Sequence, residues 1–260
     1  MKKFKHFIAS FALLFMVNTT ANSQVLISLL LGDKLNSPYL EFGLDGGINW
    51  LDMTNTPISV TDNTNAKTLR DWNLGFYFDF KFKKHPSLYI HTGVLVKSKM
   101  GCADLAPYTV NNSDSVALGN AFDGGNVDRK INYFNVPILL RYDFYKGFFI
   151  GGGIQLGLRY TAFDLFQNSV PDKDDLQYTY DTKDNYAHLD AGGEATIGYK
   201  FHTGPGMTIH FDYYYGLVDV NKSMAGTQSN SAFYINASIP IGKKKAAREA
   251  AEKAAQEKAK

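Results

Sequence analysis

The chain has almost no thiol chemistry: Cys102 is its only cysteine, so no intrachain disulfide framework can form. Cys102 also lies far from the N-terminus, which excludes a lipid-bearing N-terminal cysteine and leaves it as an incidental loop residue. Long hydrophobic runs are missing as well. Beyond residue 23 the longest is VLISLLL at 25–31, well short of the roughly 20 residues of a spanning helix, which excludes a helical membrane protein. The acidic stretches 101–128 and 161–185 lack the glycine-centred spacing of a calcium loop, so no metal site is expected there. Their aspartates, Asp104, Asp114, Asp123 and Asp128 among them, would repel phosphate, which disfavours nucleic acid as a partner.

What is present begins with the residue pattern of an export signal. Lys2, Lys3 and Lys5 precede an apolar run at 7–17, and Ala21-Asn22-Ser23 stands before Gln24. That pattern predicts a signal peptide over 1–23, cleaved after Ser23. Mean hydropathy is mildly polar at −0.22 although Phe and Tyr supply 19 and 16 residues, a pairing that suits a β-barrel with an apolar outside and a polar inside.

Alternation of apolar and polar residues marks eight segments, at 39–52, 71–83, 87–99, 130–144, 147–160, 186–201, 207–217 and 231–241. Each is long enough for a tilted membrane strand. The gaps alternate short (84–86, 145–146, 202–206) and long (53–70, 100–129, 161–185, 218–230), as short periplasmic turns and long outer loops would. The fold predicted is all-β: an eight-stranded antiparallel up-and-down transmembrane barrel over 24–242, with a C-terminal helical tail over 243–260.

A soluble lipocalin-like barrel shares that patterning, so the two faces must be told apart. One face carries Trp72, Leu74, Phe76, Phe78, Phe80 and Phe82 on the second segment and Ile209, Phe211, Tyr213, Tyr215 and Leu217 on the seventh. The other carries charges together with glycines such as Gly151, Gly153 and Gly157. An eight-stranded barrel has room inside only for its own side chains. Small and charged residues fit that space, whereas four phenylalanines per strand do not. The lumen is therefore expected to hold a structural charge network of Glu41, Asp45, Asp79, Lys81, His91, Lys97, Arg141, Arg159, Asp190, Glu194, Lys200, His210 and Asp212. Counting from the turn at 84–86 sets Asp79 opposite His91.

The stretches QVLISLLLGDKLNS, YLEFGLDGGINW, FYFDFKFKKHPSLYIHTGVLVKSK and INYFNVPILLRYDF resemble the PorT-like outer-membrane β-barrel proteins of Bacteroidetes-type bacteria, a likeness running to Gly242. The resemblance implies a bacterial outer-membrane location. For some relatives it also implies a link to the secretion apparatus.

The expected role is structural or interactive, accessory or secretion-associated, with no catalytic residues and no cofactor. Lone buried charges are expensive, so the lumen charges are read as self-neutralising rather than as an ion path. Two alternatives stand beside this reading: a narrow pore, and a small enzyme with a site at the outer mouth near His188 and Asp190. The serines considered as nucleophiles, Ser113, Ser115 and Ser169, have no spacing that ties them to His188.

Expected partners are outer-membrane lipids and an envelope or secretion-complex protein, met through the loops or the tail. The run 243–260 carries seven Lys or Arg and three Glu, with Glu249 four residues before Lys253, and is expected to form a basic periplasmic helix. The segment 24–242 has 17 basic and 22 acidic residues. The run 25–31 is expected to pack on the barrel rim or inner leaflet, or to serve as an edge strand.

Overall fold

The computed structural model describes residues 39–54, 67–105, 125–169, 175–202, 206–223 and 226–241. The expected signal peptide, the run 25–31 and the tail at 243–260 lie outside the described residues. The chain forms β1 (Leu40–Thr54), β2 (Leu69–Lys81), β3 (Leu88–Leu105), β4 (Asn126–Tyr145), β5 (Phe148–Asn168), β6 (Leu176–Asp181), β7 (Leu189–Lys200), β8 (Thr208–Gly216) and β9 (Ser229–Pro240). One 3₁₀ turn, Lys183–Asn185, separates β6 from β7.

Every pairing is antiparallel, and the chain of pairings β1–β2–β3–β4–β5–β7–β8–β9 returns to β1 and closes the sheet. Closure removes free edges from the ring, which a bilayer demands because it offers backbone groups no water.

Nine strands stand among the described residues where eight were expected. The additional one, β6, falls in the stretch 161–185 expected to be an outer loop, and it pairs only with Phe163–Asn168 of β5. Its LQYTYD sequence alternates, and Tyr178 and Tyr180 pack against buried Val127 and Phe166, so a short strand forms there. β3, β4 and β5 run 18, 20 and 21 residues, twice what a crossing needs, so this part of the barrel rises beyond the bilayer.

Ile138, Leu140, Ile150, Ile154, Leu158, Ile197, Phe211 and Tyr213 form an exposed apolar belt. Aromatic residues border it at both ends. Trp50 and Phe233 (5.8 Å between rings) and Phe134 and Tyr160 (4.7 Å) stand at the end with the longer connections. Phe148 and Tyr199 (4.7 Å) and Tyr199 and Phe201 (5.0 Å) stand at the end with the short turns. Paired aromatic girdles of this kind mark the two membrane interfaces.

Candidate functional site

The concentration of chemistry lies inside the barrel, in the half towards the short turns. On β1 and β2, Glu41, Asp45 and Asp79 alternate inward with glycines and with Tyr77. Lys200, near the end of β7, donates to Glu41 Oε1 and Oε2 at 2.8 and 2.9 Å, and the Tyr77 hydroxyl donates to Oε1 at 3.1 Å. The same ammonium stands 3.9 Å from Asp79 Oδ2. Asp79 and His91 are register partners across β2–β3, with Asp79 Oδ1 2.7 Å from His91 Nδ1.

Arg141 on β4 is the centre of the network, and it is only 2 % exposed. Its Nη1 is 3.1 Å from His91 Nδ1 and its Nη2 3.4 Å from His210 Nδ1. Asp212 Oδ1 lies 3.7 Å away, a Coulombic contact beyond hydrogen-bond length. The guanidinium lies over the Phe149 ring, 4.9 Å from its centroid. Gly151, the register partner of Arg141, makes the room: a Cβ there would come within 2.8 Å of Arg141 Cγ and 2.9 Å of Thr196 Cγ2.

His210 sits between two carboxylates. Nδ1 is 2.6 Å from Asp212 Oδ2, and Nε2 is 3.2 Å from Asp45 Oδ1 and 3.0 Å from Ser238 Oγ. A serine, an imidazole and a carboxylate in this order are the parts of a nucleophilic triad. Here the Ser238 hydroxyl donates to Asp45 at 2.9 Å, and Ser238 and His210 are each 1 % exposed, so the trio sits inside the packed lumen.

Eight of the thirteen residues expected in the lumen thus form one cluster: Glu41, Asp45, Asp79, His91, Arg141, Lys200, His210 and Asp212. Glu194 is buried in the same lumen, opposite Gly153 and Tyr214, and its Oε2 has no hydrogen-bond partner among the described residues. Asp190 stands further out, accepting from the Tyr214 hydroxyl at 2.8 Å and Asn230 Nδ2 at 2.7 Å. Arg159 lies higher still, donating to the Ala187 carbonyl at 3.0 Å with Nη2 3.3 Å from His188 Nδ1. Lys81 is half-buried at the inner rim.

Lys97 is a correction. It is on the outside of the barrel, its Nζ over the Trp72 ring at 3.2 Å from the centroid. The register slips between Leu95 and Ser98, which leaves Val96 and Lys97 both facing out and returns Ser98 to the lumen. Strict alternation cannot see such a bulge. His188 departs from expectation in the same way: a bend before β7 leaves it exposed at the rim while Asp190 points inward.

Above the polar cluster the lumen turns apolar. Leu51, Met53, Leu69, Met100, Cys102, Ile131, Val220 and Ala232 pack with Tyr133, Tyr186, Tyr214 and Tyr234. Cys102 is therefore a core residue rather than a loop residue. Higher up, Arg129 donates to Asp164 through Nε at 3.0 Å and Nη2 at 2.7 Å. Burial works against the Arg129 charge, and the Asp164 bonds more than offset it, holding its pKa above the usual arginine value. Sequence reasoning ended the fourth and fifth strands short of this pair. The continued alternation Val127, Arg129, Ile131, Tyr133 was the signal for it. Ser238 and Asn236, which bonds Asp212 at 3.3 Å, also went unmarked because neither carries charge.

A closed antiparallel barrel with an apolar belt between aromatic girdles and a charged interior defines a transmembrane β-barrel. Residues 24–222 match the outer membrane protein beta-barrel domain, and the chain belongs to that family and to the bacterial outer membrane. Among solved structures it is similar to the attachment invasion locus protein Ail of Yersinia pestis (10 % identity, 78 % of this chain and 99 % of that one, TM-score 0.36). It is similar also to Neisserial surface protein A (10 %, 77 % and 96 %, TM-score 0.37) and to OprG from Pseudomonas aeruginosa (10 %, 79 % and 97 %, TM-score 0.33). No curated protein matches the sequence.

Proposed function

We propose that this protein is a closed outer-membrane barrel with a structural or interaction role, of the PorT-like type and accessory to an envelope or secretion assembly. In this reading eight strands cross the membrane, β6 is an addition outside it, and the tail at 243–260 is a basic periplasmic helix. Partners are engaged through the outer loops or that tail. No catalysis and no cofactor are involved.

The observation that carries the reading is the position of Arg141. Its guanidinium is buried among His91, His210, Asp212 and the Phe149 ring, so the strongest cation of the lumen is spent inside the protein. A lumen packed with side chains, in which eight charged or ionisable groups contact one another beneath an apolar layer, supports a strut rather than a conduit.

Planar-bilayer recording tests this: silence at all voltages is expected, and stepwise conductance would establish the narrow pore instead. The enzyme alternative is tested by Ser238→Ala and by the pair His188→Ala and Asp190→Ala. Envelope lipid and peptide composition is expected to stay unchanged, and a lost product would overturn the non-catalytic reading. Crosslinking in intact outer membranes identifies what the loops and tail touch.

A further inference from the structure

Every outward-facing lysine or arginine on the described strands lies on one side of the barrel, on β2, β3 and β4. They are Arg70, Lys97, Lys99 and Lys130. The outward positions of β1, β5, β7, β8 and β9 carry none. All four stand at or just above the outer aromatic girdle. Arg70 is the register partner of Trp50, Lys97 lies over Trp72, Lys99 pairs in register with Asn132, and Lys130 with Gly101. The two tryptophans of the chain therefore both border this basic patch.

Two of the cations already have carboxylates. Lys99 Nζ is 2.5 Å from Asp71 and Lys130 Nζ 3.3 Å from Asp128. Among the described residues, Arg70 and Lys97 make no ion pair with a carboxylate. A lysine on the lipid side of a barrel is costly at the midplane and tolerated at the interface, where it snorkels to the phosphate level. The Trp72 ring holds the Lys97 ammonium on the bilayer surface, and Arg70 offers a planar fork that matches a phosphate.

We infer that the outward face of β2–β4 docks a phosphate-bearing glycolipid of the lipid A type in the outer leaflet, with Arg70 and Lys97 as the phosphate contacts and Lys99 and Lys130 at its border. The tryptophans supply the apolar flank for the sugar and upper acyl region. The inference extends the structural role to a fixed orientation in the leaflet, because only one side of the barrel carries the site.

The test uses the full chain in nanodiscs of neutral phosphatidylcholine, titrated with lipid A, with dephosphorylated lipid A and with phosphatidylglycerol. Tryptophan fluorescence and native mass spectrometry read retention. Lipid A is expected to bind saturably and to shift the emission of Trp50 and Trp72. The double variant Arg70→Gln, Lys97→Gln weakens retention about 10- to 30-fold, from roughly 1 kcal/mol per cation at a membrane surface. Lys146→Gln, in the turn at the opposite end, leaves it unchanged. Equal retention by the double variant, or equal binding of dephosphorylated lipid A, would overturn the site. Equal binding of phosphatidylglycerol would overturn the glycolipid as its occupant.

Discussion

Asp79 and His91 face each other across the β2–β3 hairpin with 2.7 Å between Oδ1 and Nδ1, and both are almost completely buried. The contact joins the Glu41–Lys200 pair on one side to Arg141 on the other. Asp79→Ala would leave the buried His91 without its carboxylate and remove the second carboxylate beside Lys200, which keeps Glu41. A loss of about 3–5 kcal/mol is expected in urea unfolding from lipid vesicles. Replacing both Asp79 and His91 with leucine is expected to recover part of that loss, because no half-pair remains.

The outward belt gives a depth-dependent expectation. Phe211, 42 % exposed between the girdles, is expected to lose about 2–4 kcal/mol on replacement with arginine. Phe163, facing outward above Tyr160, is expected to lose no more than about 1 kcal/mol on the same change. Equal costs at the two positions would refute the placement of the girdles.

Cys102 lies four residues beyond Ser98, where the barrel rises past the outer girdle, and it is fully buried. Burial pushes its thiol up to about 12. At pH 8 only ~10⁻⁴ of it is thiolate, so the folded protein is expected to resist maleimide. Labelling should appear only on unfolding, at the rate of unfolding.

Asp104, at the outer end of β3, accepts from Lys67 at 2.7 Å and from Asn126 Nδ2 at 2.8 Å. The Lys67 bond is the main cause that holds its carboxyl below the ordinary 3.8. A depressed carboxylate contributes stability that is complete above its unfolded pKa and lost as pH falls through its folded one. The Lys67–Ala103 bridge is therefore expected to persist at pH 4 and to open in stronger acid. In an NMR titration the Asp104 midpoint should lie below 3.8 and move towards it in Lys67→Gln.

Much of this architecture is legible in the chain because a strand repeats every two residues. Phe76, Phe78 and Phe80 turn to one side while Tyr77 and Asp79 turn to the other, and the short turn at 84–86 sets Asp79 against His91. Lys97 was not legible, since a bulge changes which side a residue faces without any signature in composition. The height of β3, β4 and β5 is not legible for another reason: past the girdle nothing forces the outward face to be apolar, so the alternation fades although the sheet continues.

Alternation, turn spacing and the placement of glycines determined by themselves that this chain is a membrane barrel with its charges inside. They could do so because each is a local property of the backbone period. The tertiary structure decided which charges meet: Ser238 with His210 and Asp45, Arg141 between two histidines, Arg129 with Asp164, and Lys97 outside on Trp72. Those contacts join distant strands across a narrow lumen or depend on one register slip. Ring closure and stagger set them, and no short stretch of sequence contains either.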